Sequence, residues 1–154
     1  MLREVDRVNA ERIGTFVDKM KKALWILKGK KIAVLGLAFK PETDDIRNAP
    51  SIPLIQALLE EEALLSLYDP KATENMKTIF PEKAPQIQYT SSPYQAAEDA
   101  NAILMVTEWD ELKDLDLKKI KEVMANPILV DGRNIFDSGQ VRSIGFEYYS
   151  VGRK

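Results

Sequence analysis

The stretch I-A-V-L-G-L at Ile32–Leu37 is a short run of apolar, mostly branched residues. Such a run predicts a β-strand that is buried on both faces. Five further runs are predicted as strands: Leu64–Tyr68, Ile87–Tyr89, Ala102–Val106, Pro127–Val130 and Phe146–Val151. Because most of these strands are apolar rather than alternating, the sequence favours a parallel sheet over an antiparallel one.

Segments with helical spacing of apolar residues separate the predicted strands. They cover residues 52–62, 73–80, 93–100, 115–125 and, more briefly, 140–144. Strands that alternate with helices predict an α/β domain in which helices cover both faces of the sheet. With right-handed crossovers, the expected fold class is a Rossmann-like, doubly wound parallel sheet in three layers.

A long amphipathic helix is predicted before the first strand. Its apolar stripe runs from Leu2 to Leu27, and Gly29 follows as a stop signal. The helix could pack wholly on its own core, or its exposed half could pack on another domain or subunit; we favour the second. The expected division is therefore a helix over residues 1–28 and a Rossmann-like domain over residues 29–154.

Composition excludes several classes of function. The 154 residues carry 22 Lys and Arg against 24 Asp and Glu, which argues against a nucleic-acid-binding surface. No apolar run approaches the roughly 20 residues that span a bilayer, so we expect a cytoplasmic protein without a membrane partner. The sequence has no Cys and no His, which removes thiolate nucleophiles and the commonest general base. We assign no catalytic residue and no metal ligand.

The segment after the first strand is longer than a connection requires. It reads G-L-A-F-K-P-E-T-D-D-I-R-N-A-P over Gly36–Pro50, whereas two to six residues suffice for such a loop. Lys40 and Arg47 place cations at the carboxyl edge of the sheet, where phosphate groups bind. The segment lacks the glycines of the dinucleotide fingerprint and the G-K-[ST] of a P-loop. For Lys40, the plainer interpretation is a solvated loop lysine.

Several other residues have two interpretations. Asp69 follows the second strand, but it lies 33 residues after Gly36, so a turn role before Pro70 is favoured over ribose binding. Asp44 and Asp45 are expected to cap the loop or pair with Arg47 rather than act as catalytic carboxylates. Trp109 is either close to the ligand or an aromatic residue at the core edge.

Four motifs together resemble the C-terminal, UDP-sugar-binding domain of the UDP-glucose/GDP-mannose dehydrogenase family. They are G-L-A-F-K-P-x-T-D-D-I-R-x-A-P at Gly36–Pro50, Y-D-P-K-A at Tyr68–Ala72, T-E-W at Thr107–Trp109 and D-G-R-N at Asp131–Asn134. The T-D-D-I-R-x-A-P part is more similar to the UDP-glucose 6-dehydrogenase branch than to enzymes that oxidise GDP-mannose or UDP-N-acetylmannosamine.

The resemblance implies a role for individual residues. Phe39, Lys40 and Arg133 match residues that contact the UDP-sugar; for Arg133 the alternative is a surface salt bridge. Arg47 matches an arginine that reaches NAD held by an N-terminal domain, and the competing role is pairing with Asp44 or Asp45. The leading helix resembles the end of the central helix through which family members form dimers. The family commonly has a glycine where Glu62 stands, so a left-handed helix cap at Glu62 is expected to carry a small strain cost.

The resemblance also implies what the chain lacks. Family enzymes oxidise UDP-glucose to UDP-glucuronate with two NAD molecules, through a cysteine that this sequence does not contain. We therefore expect the chain to be part of a longer enzyme and to be inactive alone. A free-standing nucleotide-binding module and a dimerisation domain that has lost its ligand are the alternatives.

Overall fold

A six-stranded parallel sheet forms the centre of the molecule. The structure, a computed structural model, describes residues 2–83 and 85–150, with side chains from residue 13 onward. The strands are β1 (Lys31–Leu35), β2 (Leu64–Tyr68), β3 (Ile87–Tyr89), β4 (Ala102–Met105), β5 (Ile128–Asp131) and β6 (Glu147–Ser150). Their order is β3-β2-β1-β4-β5-β6, and every neighbouring pair is parallel. The predicted Rossmann-like, doubly wound fold is confirmed.

Seven helices surround the sheet in the described part of the chain. They are α1 (Leu2–Leu24), α2 (Ser51–Glu60), α3 (Thr73–Lys77), α4 (Pro93–Ala97), α5 (Asp110–Lys113), α6 (Leu117–Val123) and α7 (Ser138–Ile144). All helices except α5 were predicted, while α5 is a single turn that is too short for a periodic pattern. No helix among the described residues is long and apolar enough to cross a membrane.

Local backbone conformation explains where helices end earlier than predicted. The leading helix stops before Trp25, whose φ of 72° is left-handed, rather than at Gly29. Likewise α4 ends ahead of Asp99, which has a φ of 57°. After α3, the amide of Ile79 donates to the carbonyl of Met76, a three-residue spacing that tightens the chain out of the α-helix.

The hydrophobic core lies on both faces of the sheet. All residues of β4 and β5 are buried, as expected for central parallel strands. The described part of α1 packs against α2 and β5 and buries Ile13, Phe16 and Met20. The predicted apolar positions before Ile13 lie outside the described side chains, as does Val151 of the predicted last strand.

The strand order places three loops side by side at one edge of the sheet. Strand β4 lies between β1 and β5, and the sequence order reverses between β1 and β4. In open α/β sheets, ligands bind at the carboxyl ends of the strands beside such a reversal. The segments that follow β1, β4 and β5 are therefore the ones that the fold brings to a binding position.

The cap of α2 is strained, as the sequence analysis expected. Glu62 has a φ of 63°, a conformation that costs an L-residue roughly 1–2 kcal/mol and that glycine adopts freely. Its carboxylate lies 3.7 Å from Lys28 Nζ, and both side chains are largely exposed, so that ion pair contributes little.

Glu62→Gly should therefore stabilise the fold. We expect the free energy of unfolding to rise by about 0.5–1 kcal/mol in urea titrations, because relief of strain exceeds the entropy cost of a glycine. Gln56→Gly is the matched control: this exposed position in the interior of α2 should lose about 1 kcal/mol. A lower stability for Glu62→Gly would contradict the argument from strain.

Candidate functional site

The segment after β4 connects the loops on either side of it. The Thr107 hydroxyl donates to the carbonyl of Ala38, 2.8 Å away, in the loop after β1. The next residue, Glu108, places Oε2 2.6 Å from Nε of Arg133, in the loop after β5. Two consecutive side chains thus tie together the loops that carry the predicted ligand-binding cations.

Close packing forces the chain to turn sharply after β1. Gly36 has a φ of +97°, and a Cβ atom there would lie 2.6 Å from the backbone nitrogen of Thr107. Any other residue at Gly36 would be strained and would push the two loops apart. Beyond this turn, Phe39 and Lys40 lie exposed, with 45% of the Phe39 surface accessible.

Asp69 has the turn role that the sequence analysis favoured. Its Oδ1 accepts hydrogen bonds from the amides of Lys71 (2.8 Å) and Ala72 (2.7 Å). The side chain of Trp109 is buried and donates from Nε1 to Oδ2 of Asp69 at 3.2 Å. Of the two interpretations of Trp109, the structure supports an aromatic residue at the core edge. The carboxylate of Asp69 is itself buried, so it is not placed to bind a ribose.

A second buried carboxylate shapes the loop that carries Arg133. Asp131 ends β5, and its Oδ1 accepts from the amide of Arg133 at 3.0 Å. Its Oδ2 accepts from the amide of Phe136 and from the Tyr148 hydroxyl, at 3.0 and 2.8 Å. These bonds hold a tight turn that directs Arg133 towards Glu108. The Arg133 side chain is 25% exposed, so a ligand can reach it.

The leading helix also contacts this loop. A Cβ atom on Gly132 would lie 2.0 Å from Cζ of Phe16 in α1. The same Cβ would lie 2.9 Å from the carbonyl oxygen of Met105, so any larger residue would displace the Phe16 ring and press on the backbone of β4. Each residue of the D-G-R motif thus has its own task. Asp131 is a buried hydrogen-bond acceptor, Gly132 allows Phe16 of α1 to pack closely, and Arg133 is an accessible cation.

Arg47 pairs with Asp45 in the outer part of the first loop. Arg47 Nε and one Nη lie 3.0 and 2.9 Å from the two carboxylate oxygens of Asp45, and the Arg47 amide donates to Oδ1 at 2.9 Å. The predicted pairing of this carboxylate with Arg47 is confirmed. The hydrogen bond from Arg47 lowers the pKa of Asp45 to about 2. The Arg47 side chain is nevertheless 86% exposed, so it also faces outward.

The charges at this edge suit a diphosphate held by side chains. Lys40 and Arg133 lie on two loops that flank the segment after β4, and a lysine and an arginine together can neutralise two phosphate groups. A shallow depression of about 490 Å³ beside the first loop is lined by Glu42, Thr43, Asp44 and Lys71; its two carboxylates outnumber its one cation, so it suits an anion less well. Within the described residues, no group of acidic side chains could hold a metal ion.

The backbone of the first loop does not fit a dinucleotide. Rossmann domains hold a pyrophosphate with amides of the turn after β1. Here the amides of Leu37 and Ala38 donate instead to Oδ2 of Asp69, at 2.7 and 2.9 Å. A cofactor such as NAD would find these donors already used.

The comparison with known protein families agrees with this geometry. Residues 33–138 match the model for the "UDP-glucose/GDP-mannose dehydrogenase family, UDP binding domain". The chain belongs to this family. The matched range contains all four motifs on which the resemblance rested, so that prediction is confirmed.

Similar curated proteins are enzymes of the same family. UDP-glucose 6-dehydrogenase TuaD of Bacillus subtilis is 37% identical over 153 residues, and UDP-glucose 6-dehydrogenase of Rickettsia bellii is 41% identical over 155 residues. These alignments cover 99% and 100% of this chain but 32% and 35% of the relatives. The chain thus spans about a third of the length of the curated relatives that it matches.

Solved structures of the family have the same fold. A UDP-glucose dehydrogenase from Pyrobaculum islandicum aligns with a TM-score of 0.81 at 27% identity, covering 99% of this chain and 32% of that one. A UDP-D-ManNAc dehydrogenase from Pyrococcus horikoshii aligns at 0.74 and 29% identity, covering 96% and 31%. The likeness includes α1, since nearly the whole chain is covered.

Sequence reasoning missed the partners that organise the site. Thr107, Glu108 and Asp131 were all quoted within motifs, but none was given a role. One signal was available: Thr107 and Asp131 directly follow predicted apolar strands, and Glu108 is the next residue after Thr107, where a parallel sheet gathers its ligand loops. The sequence could not predict which of these polar residues would contact which loop.

The ion pair of the first loop can be tested through the titration of Asp45. Arg47→Ala should raise the pKa of Asp45 from about 2 towards its ordinary value of 3.8, followed through the carboxyl carbon by NMR. Because the folded-state pKa is depressed, the pair stabilises the loop above about pH 4, and this contribution is lost as the pH falls towards 2.

Lys40→Ala is the control for this titration. Lys40 also lowers the pKa of Asp45, but it is the weakest of the causes, so the shift should be much smaller. An unchanged Asp45 pKa in Arg47→Ala would show that the pair does not form in solution.

Proposed function

We propose that this chain is the UDP-sugar-binding part of an NAD-dependent UDP-glucose 6-dehydrogenase, which oxidises UDP-glucose to UDP-glucuronate. One observation carries the proposal most directly. Lys40 and Arg133 come from different loops, yet Thr107 and Glu108 bind those loops to a common segment at the carboxyl edge. Both cations lie within the range that matches the family's UDP-binding domain.

Each proposed ligand-binding residue has a distinct task. Lys40 supplies a compact, mobile positive charge to the diphosphate, whereas Arg133 supplies a planar set of donors. Phe39 is exposed beside Lys40 and gives an apolar surface for the uridine or the sugar. We assign no proton transfer to these residues.

The ion pair between Glu108 and Arg133 is compatible with a site that binds an anion. Oε2 of Glu108 lies 2.6 Å from Nε of Arg133, so the two side chains form an ion pair. A guanidinium has further N–H groups on its outer nitrogens, which can donate to a phosphate. Glu108 therefore keeps Arg133 beside the segment after β4 and offsets part of its positive charge.

The chemical step depends on groups that this chain does not contain. Oxidation of an alcohol to a carboxylate through a covalent intermediate needs a nucleophile, which in this family is a cysteine, and the sequence has none. We propose that the nucleophile and most of the NAD site belong to another domain of the whole enzyme. Arg47, exposed on the first loop, is proposed to reach that cofactor.

The leading helix is proposed to serve assembly. Residues 1–28 would form the end of a central helix through which two copies of a cytoplasmic enzyme associate, with residues 29–154 as the nucleotide-sugar domain. The exposed Trp25 and Ile26 at the end of α1 support this proposal, because large apolar side chains are seldom left in water without a partner.

Calorimetric titration of the chain with UDP and with NAD tests the proposed function. UDP should bind weakly, because another domain would complete the site, and NAD should bind far more weakly still. Tighter binding of NAD than of UDP would overturn the assignment. No UDP binding at millimolar concentration would favour the dimerisation domain that has lost its ligand.

Removing either cation should weaken UDP binding. Lys40→Ala and Arg133→Ala should each cost about 1–3 kcal/mol of binding free energy, the range for a charge-assisted contact. Lys40→Arg should not restore affinity, since a planar fork does not replace a compact ammonium group. Lys118→Ala, on the exposed side of α6, is the control and should leave affinity unchanged. Full affinity in both alanine variants, with folding intact, would place the site elsewhere.

Arg47 should behave differently from Lys40. Arg47→Ala should leave the UDP affinity of this chain almost unchanged, while in the whole enzyme it should raise the KM for NAD or slow turnover. The competing role is structural, because the pair with Asp45 could rigidify the loop that presents Lys40. A loss of more than about 1 kcal/mol of UDP affinity in the chain itself would favour that structural role.

A further inference from the structure

The Asp69 carboxylate is the most heavily hydrogen-bonded acidic group among the described residues. It lies at the end of β2 and is 4% exposed. Five N–H groups donate to its two oxygens: the amides of Leu37, Ala38, Lys71 and Ala72 and the indole of Trp109. These donors come from the loops after β1, β2 and β4, so a single side chain joins three loops.

A carboxylate suits this set of partners better than an amide does. All five partners are donors, and two carboxylate oxygens offer about four acceptor positions. An amide side chain at Asp69 would keep one oxygen but turn an NH2 group towards two or three N–H donors. Those donors would then be buried without an acceptor, which is costly.

The bonds to Leu37 and Ala38 fix the backbone immediately before Lys40. The carbonyls of these two residues are also held, by the hydroxyls of Ser51 (2.7 Å) and Thr107 (2.8 Å). The next amide, that of Phe39, donates to the carbonyl of Asp45 at 2.8 Å. The path of the chain into Lys40 is thus set by hydrogen bonds at each peptide group from Leu37 to Phe39.

We propose that Asp69 is a positioning residue for the ligand, acting through Lys40, and that its carboxylate takes the place of a bound phosphate in the turn after β1. The proposal rests on the proposed function of Lys40. It also explains which ligands the site prefers. Because the Asp69 carboxylate occupies the amides of Leu37 and Ala38, a phosphate of the ligand must be held by cationic side chains. A nucleoside diphosphate that reaches Lys40 and Arg133 is then favoured over a dinucleotide that needs backbone amides.

A purely structural role for Asp69 would give a different pattern of coupling. If Asp69 acts through Lys40, replacing Asp69 should change UDP affinity very little in a variant that already lacks the Lys40 side chain. If it only stabilises the domain, its effect on UDP affinity is independent of Lys40. Energetic coupling between two substitutions separates the two possibilities.

The experiment measures UDP affinity by calorimetry for Asp69→Asn, Lys40→Ala, Arg133→Ala and the two double variants that contain Asp69→Asn. Asp69→Asn should weaken binding at least about fivefold. In the Lys40→Ala background the same change should weaken it by no more than about twofold, whereas with Arg133→Ala the two factors should multiply. Multiplication in both backgrounds, or full affinity in folded Asp69→Asn, would overturn the proposal.

Two controls separate this result from a loss of stability. Asp116→Asn makes the same chemical change at the N-cap of α6, where the carboxylate accepts the amide of Lys119, and should leave UDP affinity unchanged. Ile120→Ala removes a fully buried side chain from α6, a helix that packs against α4 and α7, and the folded protein should also keep its affinity. Weaker UDP binding in either control would show that stability alone changes the affinity and would overturn the proposal.

A second measurement needs no variant to fold. Hydrogen exchange of the Leu37 and Ala38 amides should be slow in the unliganded chain and should stay equally slow when UDP is added, since their acceptor is internal. Rapid exchange of both amides without ligand, with protection only when UDP is added, would show that the ligand is their acceptor and would overturn the proposal. If neither Lys40→Ala nor Arg133→Ala affects UDP binding, the proposed function fails instead.

Discussion

Five N–H groups point at one buried carboxylate, that of Asp69, and the arrangement of the site depends on this constraint. A charge in the interior is tolerated only where hydrogen bonds replace the water that it has lost. The donors available at the carboxyl edge are backbone amides of three loops, so satisfying Asp69 brings those loops together. The turn after β1 and the burial of Trp109 are both consistent with that requirement.

The same constraint separates this domain from a dinucleotide-binding one of the same topology. Both have the strand order with a reversal between β1 and β4, and both place a turn at the end of β1. In this chain, the amides of that turn serve the protein itself. Under the proposed function, the positive charges for the phosphates come from side chains instead, and the extended loop over Gly36–Pro50 carries one of them, Lys40. Fold and ligand class are thus set by different residues.

The sheet was predictable because burial on both faces leaves a direct mark on the sequence. Strands β2 and β3 begin and end at the predicted residues, and the helices lie where the apolar spacing indicated. Helix ends were less predictable, because Trp25 and Asp99 adopt left-handed backbone conformations that could not be predicted from their residue types. Among the caps, Glu62 was anticipated, because the acidic residue stands where a glycine is common in the family.

The site was predictable only in part, and the division has a physical basis. Lys40 and Arg133 were selected from their types and their place after strands, and their contact with a ligand stays a prediction. The pairs that hold them, such as Glu108 with Arg133, depend on which loops become neighbours in space. The role of Asp69 depends on backbone amides, which every residue but proline carries and which leave no signal in the sequence.

The contrast between the two tryptophans gives the chain a built-in pair of optical probes. Trp25 is 87% exposed, whereas Trp109 is 4% exposed with its indole N–H on a carboxylate. An aqueous quencher reaches the first ring and not the second, so the fluorescence of one protein reports on two separate places. The fluorescence of Trp109 reports on whether the loops after β1, β2 and β4 remain packed together. The fluorescence of Trp25 reports on any partner that covers the end of the leading helix.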